Sequence, residues 1–416
     1  MRKPGLPERV RAMADGNRTA ALLECAYLLF LAIVTGMAFA WTTMDRKLVT
    51  GWPDWLTDGI RVAMMAVVIS RLALEENWKP REMLFAAAFG AAFVWNWRRI
   101  GERYTLELAL LVIGARGIRF ERILKVWLAA ALAAMLAMLV KVSAGRIENL
   151  VYEMEGRRPR YSFGAIYPTD FCAHLFFQAA AWAWLRGKRI TAPEIGGIAL
   201  LALFCLIFCD AHNATACLLT LAVGLLAAKA FRRRETNGRP PKWEDRFLRL
   251  LVIAMPLMAA VMILLSRFYD PEIGWMRALN RISTSRLALG RRGFREYGIT
   301  LFGQAVRMVG NGGSVAPKTN YFWLDSSYVN ALLRQGIVPL LLGMSVFVSS
   351  AGRQRRAGAR ERLWILAVVA LHCVFEHHLF QIAYDPFLLL ALAGGSGDAD
   401  SGTDAKEDAG RCARKN

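Results

Sequence analysis

Long runs of apolar residues recur along most of this sequence, and they restrict the fold more than any other feature. A helix of about 20 apolar residues spans the hydrocarbon core of a bilayer, and a soluble domain rarely carries several such runs. Hydrophobic residues make up 56% of the 416 residues, and the mean hydropathy is +0.31. The sequence therefore predicts an all-α, polytopic integral membrane protein.

We predict about 12 transmembrane helices. They cover residues 20–41, 57–74, 81–97, 104–117, 125–144, 169–186, 195–210, 213–231, 249–266, 326–350, 362–378 and 381–394. Residues 1–394 form a single membrane domain in this interpretation. Residues 395–416 are rich in Gly, Asp and Lys without apolar periodicity, and we expect a disordered tail.

Basic residues set the predicted orientation. The loops at 116–125, 186–189, 232–249 and 353–362 are rich in Lys and Arg and fall on one side of the membrane when the helices alternate. Cytoplasmic loops carry such an excess, so both termini are expected in the cytoplasm. Arg98, Arg99 and Arg103 are the exception, because they fall on the outer side.

The net charge and the cysteine pattern give no indication of a nucleic-acid-binding protein or of a cysteine-based metal site. The net charge of +20 suits cytoplasmic loops that face anionic lipid, and no zinc-finger or RNA-binding signature makes nucleic acid a partner. Seven cysteines without a Cys-x-x-Cys pair predict small core residues. We expect neither a metal site nor a cofactor.

The longest polar interval, residues 267–324 between helices 9 and 10, is predicted to lie outside the membrane. It carries eight arginines and one lysine against Asp270, Glu272 and Glu296. Outer loops are usually poor in Lys and Arg, so the excess of cations in this interval needs an explanation. Either the cations bind an anionic ligand, or the interval is a solvated basic loop. Residues 275–289 and 294–307 predict two amphipathic helices, with Gly290 ending the first.

Other polar residues are predicted at the same face. Arg160 precedes a Gly and Pro turn before an apolar helix, where Thr169 or Asp170 would cap the helix. His212 lies in a tight turn after Asp210, where it could be solvated, cap a helix or contact a ligand. A second group contains Glu376 with His372, His377, His378 and Asp385, and it lines the same cavity or bridges two helices. His174 is expected to be a packed polar residue.

Three stretches of this face carry a resemblance to a known family. They are RYSFGAIYPTDF at 160–171, NRISTSRLALGRRGFREYGITLFGQ at 280–304 and YFWLDSSYVNALLRQGI at 321–337. Together with the helix layout, they resemble bacterial O-antigen and capsular polysaccharide polymerases, the Wzy group of the O-antigen ligase and polymerase superfamily. The chain departs from that pattern at 210–214, where many relatives have an arginine near His212 or Asn213.

The resemblance implies an enzyme of the bacterial cytoplasmic membrane that joins oligosaccharide units linked to undecaprenyl diphosphate at the outer face. Membrane lipid and other polysaccharide-assembly proteins are further expected partners. A glycan ligase that uses the same donor, and a lipid-linked glycan flippase, are the alternatives. Charges concentrated at one face, instead of inside many helices, disfavour the flippase.

Arginines suit such a transfer because guanidinium binds phosphate oxygens in bidentate fashion without a metal. We predict Arg281, Arg286 and Asp325 as catalytic residues. The predicted substrate-binding residues are Arg160, His212, Arg277, Tyr328 and Glu376.

Asp325, before the tenth predicted helix, has two interpretations. As an N-cap it would be replaceable at a cost of about 1 kcal/mol. As a functional carboxylate it would orient an arginine or accept the proton of an acceptor hydroxyl. A helix N-terminus and nearby arginines predict a lowered pKa, which favours a fixed anion.

Overall fold

The computed structural model describes residues 6–45, 51–75, 78–153, 158–233, 241–315 and 319–394. Within them it has 15 α-helices and one short β-hairpin. The helices are α1 (Leu6–Trp41), α2 (Asp54–Leu74), α3 (Pro80–Ile100), α4 (Arg103–Gly114), α5 (Phe120–Ser143), α6 (Pro168–Arg186), α7 (Ala192–Phe208), α8 (His212–Arg233), α9 (Lys242–Val252), α10 (Ala254–Arg267), α11 (Gly274–Ile282), α12 (Arg286–Glu296), α13 (Ser327–Asn330), α14 (Ile337–Arg356) and α15 (Arg360–Phe375). The predicted tail at 395–416 lies outside the described residues.

Four helices are long and apolar enough to cross a membrane: α1 from Arg18, α5, α8 and α14. The pair α9 and α10 passes the same test as one span, although it bends by 58° at its junction. The prediction of a helical protein with several membrane-crossing helices is therefore confirmed, but the predicted number of spans is not.

The helices run between two ends of the molecule. Arg362, at the start of α15, pairs with Glu121 of α5 at 3.2 Å, and Lys229 of α8 donates to the Ile190 carbonyl at 2.9 Å. Arg232 also pairs with Glu361. Together these contacts bring the described parts of the four basic loops to one end, called here the basic end. The long loop and the polar segments near Arg160, Asp210 and Glu376 lie at the other end, called here the site end.

The predicted twelfth helix, 381–394, is wrong. After α15 the chain makes turns and one short 3₁₀-helix, Phe387–Ala391. Pro386 lacks an amide hydrogen, and Asp385 Oδ1 accepts the Phe387 amide at 2.8 Å, so a continuous α-helix does not form. Residues 382–390 are all buried by protein, and this shields their non-helical backbone.

This irregular stretch nevertheless returns to the basic end. The Gly394 amide donates to the Ile118 carbonyl at 2.8 Å, and its carbonyl accepts the Phe120 amide at 3.2 Å. Since α15 rises about 24 Å toward the site end, residues 376–394 cover the same height in the opposite direction. We call them the return segment.

The predicted span 326–350 is broken in two. The short helix α13 continues into a π-helical turn, Ala331–Gln335, and α14 starts after Gly336. Gly336 has a φ of +99°, and an added Cβ would lie 2.4 Å from the Gly303 nitrogen. The break is therefore fixed by close contact between two glycine backbones.

The predicted amphipathic helices of the long loop need correction. The first ends at Ile282, and Thr284 (φ 51°) and Ser285 (φ 67°) then make a left-handed turn into α12. Gly290 does not end a helix but lies inside α12, where an added Cβ would be 2.8 Å from Ser266 of α10. Residues 297–307 are not helical. The second helix was predicted too far along the chain, because hydrophobic periodicity does not reveal the turn before Arg286.

Candidate functional site

Arg286 lies at the centre of the site end. It is the first residue of α12, placed there by the left-handed turn at Thr284 and Ser285. Its Nε lies 3.6 Å from Asp325 Oδ2, and its Nη2 lies 3.4 Å from Glu376 Oε1. The Arg286 side chain is 14% exposed, so its charge is held largely away from water between two carboxylates.

Asp325 does not cap a helix. Ser326 is the N-cap residue of α13, and no side chain bonds to the free amides there. The Asp325 carboxylate, 21% exposed, instead faces Arg286. Burial raises the pKa of Asp325, and Arg286 opposes that rise. The predicted lowering of this pKa is therefore wrong in direction, because loss of water outweighs the arginine.

Glu376 follows the last residue of α15, and its side chain is only 6% exposed. Its backbone carbonyl accepts the Ser327 amide at 3.2 Å, which ties the end of α15 to the start of α13. Burial raises the pKa of Glu376 to about 7, with Arg286 and Arg160 lowering it and Asp325 raising it. The carboxylate therefore titrates near neutral pH.

Arg160 approaches this cluster from the hairpin. Strand β1 (Val151–Tyr152) pairs antiparallel with β2 (Arg160–Tyr161), with Tyr152 opposite Arg160. Arg160 Nε donates to the Cys209 carbonyl at 3.1 Å. Because Arg160 also lowers the pKa of Glu376, its charge acts at the same place as that of Arg286. The structure thus brings together four predicted residues: Arg160, Arg286, Asp325 and Glu376.

The other predicted site residues lie apart from this cluster. Arg277 and Arg281 are exposed on α11 and form no ion pair among the described residues. His212 is 69% exposed and lies 3.2 Å from Asp210. Tyr328 is fully buried, and its hydroxyl donates to the Ala370 carbonyl at 2.6 Å. Its hydroxyl is therefore already engaged by the protein core.

A stack of six buried rings lies beneath the cluster, and sequence reasoning did not foresee it. The rings follow the order Phe39, His174, Tyr384, His378, His372 and Phe176. His372 Nε2 is 3.2 Å from His378 Nδ1, and His174 Nε2 is 2.8 Å from Thr42 Oγ1. The packed role predicted for His174 agrees with this position. The six rings come from α1, α6, α15 and the return segment, so no spacing in the sequence predicts the stack.

Potential metal ligands also meet here. Among the described residues, ligand atoms of Glu376, His377 and His378 lie within 4.8 Å of one another. Arg286 occupies one Glu376 oxygen at 3.4 Å, however, and its positive charge opposes a cation at that carboxylate. The donor set therefore fits an arginine better than a divalent metal.

An apolar cleft of about 320 Å³ adjoins the cluster. Residues of α10, the end of α11, the start of α12 and the end of α15 line it, including Leu257, Val261 and Phe375. Leu257 and Val261 are outward-facing and exposed, so the cleft opens sideways toward the surface that lipid would cover. Arg286 Cζ lies 5.9 Å from the Phe375 ring centroid. The cleft therefore ends next to the central arginine.

The fold and this site define a mostly helical protein with several helices apolar enough to cross a membrane, and with a buried arginine–carboxylate cluster at one end. Comparison with protein-family models, curated proteins and solved structures found no match. The functional argument therefore depends on the cluster itself. A guanidinium between two carboxylates, beside an apolar cleft, can hold an anionic headgroup whose lipid tail lies in the cleft.

Proposed function

We propose that this protein is a polysaccharide polymerase that joins repeat units carried on undecaprenyl diphosphate, at the outer face of the bacterial cytoplasmic membrane. The observation that carries the proposal is the position of Arg286, at the junction of an apolar cleft with a polar site. A lipid-linked sugar diphosphate has the same sequence of parts: an apolar chain, two phosphates and a glycan. The resemblance at 160–171, 280–304 and 321–337 supports the same function.

The proposed reaction moves a glycan from one lipid carrier to the glycan of another. The bond between the donor's anomeric carbon and its diphosphate oxygen breaks, and undecaprenyl diphosphate leaves with the electron pair. A hydroxyl of the acceptor forms the new glycosidic bond and releases its proton, which the leaving diphosphate takes up. Because the leaving group is already good, the protein mainly stabilises its charge and positions the acceptor.

Arg286 is the proposed contact for the diphosphate, with Arg160 as a second cation at the same place. Guanidinium stays charged when partly buried and donates two parallel hydrogen bonds to phosphate oxygens. Asp325 and Glu376 hold Arg286 in position until the substrate binds. Arg277 and Arg281, exposed on α11, would attract anionic headgroups without touching the reacting bond. The proposal requires no metal and no cofactor.

In the proposed orientation the site end faces outward and the basic end faces the cytoplasm, with both termini there. This matches the positive-inside rule for the four basic loops. Membrane lipid is then in contact with the apolar helices, and other polysaccharide-assembly proteins are candidate partners. Nucleic acid is not a partner in this proposal.

The proposal is tested by deleting the gene and analysing lipid-linked glycan. Single repeat units that accumulate on the outer face, and return to long chains when the gene is restored, are the expected result. Single units trapped on the inner face would identify a flippase. Long chains that remain on the carrier would identify a ligase. Purified protein in liposomes should also extend isolated lipid-linked units into a ladder, which neither alternative predicts.

A further inference from the structure

The residues just before α13 alternate strictly between two environments. Phe322, Leu324 and Ser326 are buried, whereas Tyr321, Trp323 and Asp325 are each partly exposed. Phe322 is held by paired backbone hydrogen bonds with Val309, at 2.8 and 3.0 Å. Side chains alternate across an extended backbone, so Tyr321, Trp323 and Asp325 share one face. We call it the aromatic face.

The surroundings of this face hold the Trp323 ring in place. An added Cβ on Gly310 would lie 3.1 Å from the Trp323 ring, so that glycine lets the backbone pack closely against the indole. The His377 ring meets Trp323 edge to face, with centroids 5.6 Å apart. Burial raises the pKa of Tyr321, and the charge of Asp325 raises it further, so the phenol stays protonated.

These rings differ from membrane anchors. An anchoring aromatic points outward into lipid headgroups, as Trp275 on α11 can do with 58% of its surface exposed. Tyr321 and Trp323 instead stand on the same face as a carboxylate that pairs with Arg286. The aromatic face is therefore turned toward the polar cluster.

We propose that Tyr321 and Trp323, with Asp325, form the binding subsite for the acceptor glycan. This inference rests on the proposed function and assigns the substrate class of one part of that site. Sugar rings have an apolar face of C–H groups and an edge of hydroxyls, so they pack on aromatic rings and donate to carboxylates. Both kinds of partner stand here side by side.

The assignment also orients the two substrates. The apolar cleft meets Arg286 from the side of Phe375, whereas Asp325 meets it from the aromatic face. The donor's lipid and diphosphate lie toward the cleft, and the acceptor sugar lies on the aromatic face. The acceptor hydroxyl then reaches the donor's anomeric carbon next to Arg286, with Asp325 accepting its hydrogen bond.

The test measures binding of the free repeat-unit oligosaccharide, released by mild acid from the lipid-linked units of the same strain. Saturation-transfer NMR with the full chain in nanodiscs reports which sugar protons touch the protein. Trp323→Ala and Tyr321→Ala should each weaken binding about tenfold, and Trp323→Phe should weaken it less, because a ring remains. The control, Trp275→Ala, should bind like wild type.

Two further measurements separate this inference from the proposed function. In the liposome assay, Trp323→Ala should raise the KM for acceptor units about tenfold while binding of undecaprenyl diphosphate stays unchanged. If wild-type protein binds undecaprenyl diphosphate and makes polymer, but both alanine variants bind oligosaccharide normally, the aromatic face is not the subsite. If wild-type protein binds neither probe and makes no polymer, the proposed function itself fails.

Discussion

Among single residues, Arg286 is the proposed contact for the substrate phosphate, and two carboxylates lie beside it. Its guanidinium has carboxylates at 3.4 and 3.6 Å, and each charge-assisted bond to a substrate phosphate would contribute about 1.5 to 3 kcal/mol. Arg286→Ala should therefore reduce polymer formation at least tenfold, and Arg286→Lys should restore little, since lysine lacks the planar fork. The liposome ladder assay measures both.

The matched control is Arg295→Ala, an exposed arginine of the same helix without an ion pair among the described residues. It should retain full activity. Equal loss in Arg286→Ala and Arg295→Ala would mean that the loop acts only through its total charge. Thermal unfolding of each variant must accompany the assay, because removing Arg286 leaves Glu376 buried without its cation.

Asp325→Asn tests the carboxylate apart from any capping role. No side chain caps α13, so the substitution removes no helix cap. Loss of the charge should lower activity about tenfold or more, because Arg286 loses one of its two anchors. Normal polymer length from this variant, analysed on gels, would remove Asp325 from the site.

Glu376 makes the site sensitive to pH. Its pKa of about 7 lies above the ordinary value of 4.5. The groups that face it are Arg286, Arg160, Asp325 and Asp170. An ionised Glu376 holds Arg286, so activity should rise with pH through about 7. Glu376→Gln should remove that limb of the pH–rate profile.

The stability effect of Glu376 has the opposite sign. A raised folded-state pKa means that the folded protein binds the extra proton more tightly between about pH 4.5 and 7. The stability that protonation contributes is complete below about 4.5 and is lost as the pH rises through about 7. The unfolding temperature of wild type relative to Glu376→Gln should therefore fall across this range. A pH-independent difference would contradict the assignment.

At the scale of elements, the junction between α13 and α14 depends on two glycines. An added Cβ on Gly336 would meet backbone atoms of Gly303 and Leu301 at 2.4 and 2.6 Å, and Gly303 has a φ of +93°. Gly336→Ala should cost about 3 kcal/mol, from overpacking together with left-handed strain. Gly298→Ala, with a φ of +70° but open space around it, should cost only about 1 kcal/mol. Thermal unfolding in detergent compares the two, and equal losses would contradict the packing argument.

Apolar length predicted most helices but could not place their interruptions. The long apolar helices α1, α5 and α8 were foreseen because composition alone determines them. The break at Gly336 and the turn at Thr284 and Ser285 depend on contacts with distant backbone, which periodicity does not contain. Two of the clustered residues were predicted as catalytic. Arg286 was predicted because cations are unusual in an outer loop, and Asp325 because of its place before an apolar helix and because of the resemblance. Their proximity to Glu376 could not be predicted, because it depends on α15 ending at the same end of the folded protein.

At the scale of the whole molecule, the return segment shows why an apolar run is not always a helix. Residues 382–390 read as membrane-spanning because they are apolar, yet they are buried by other helices and not by lipid. Protein can enclose irregular backbone that lipid cannot. The same enclosure buries Glu376, His372 and His378 beside this segment.

The return segment leads to a prediction about sidedness that does not need a twelfth helix. Gly394 bonds to Ile118 and Phe120 at the basic end, so the end of the return segment should lie on the side of the basic loops. In a variant with the other six cysteines replaced, Cys412 should react with an impermeant maleimide only in inside-out vesicles. Gly358→Cys, in an exposed turn of a basic loop, should behave the same way. Gly145→Cys, in an exposed turn after α5, should react only in intact spheroplasts. Labelling of Cys412 together with Gly145→Cys would mean that residues 376–394 do not cross, and the arrangement of the site around Glu376 would then need a different explanation.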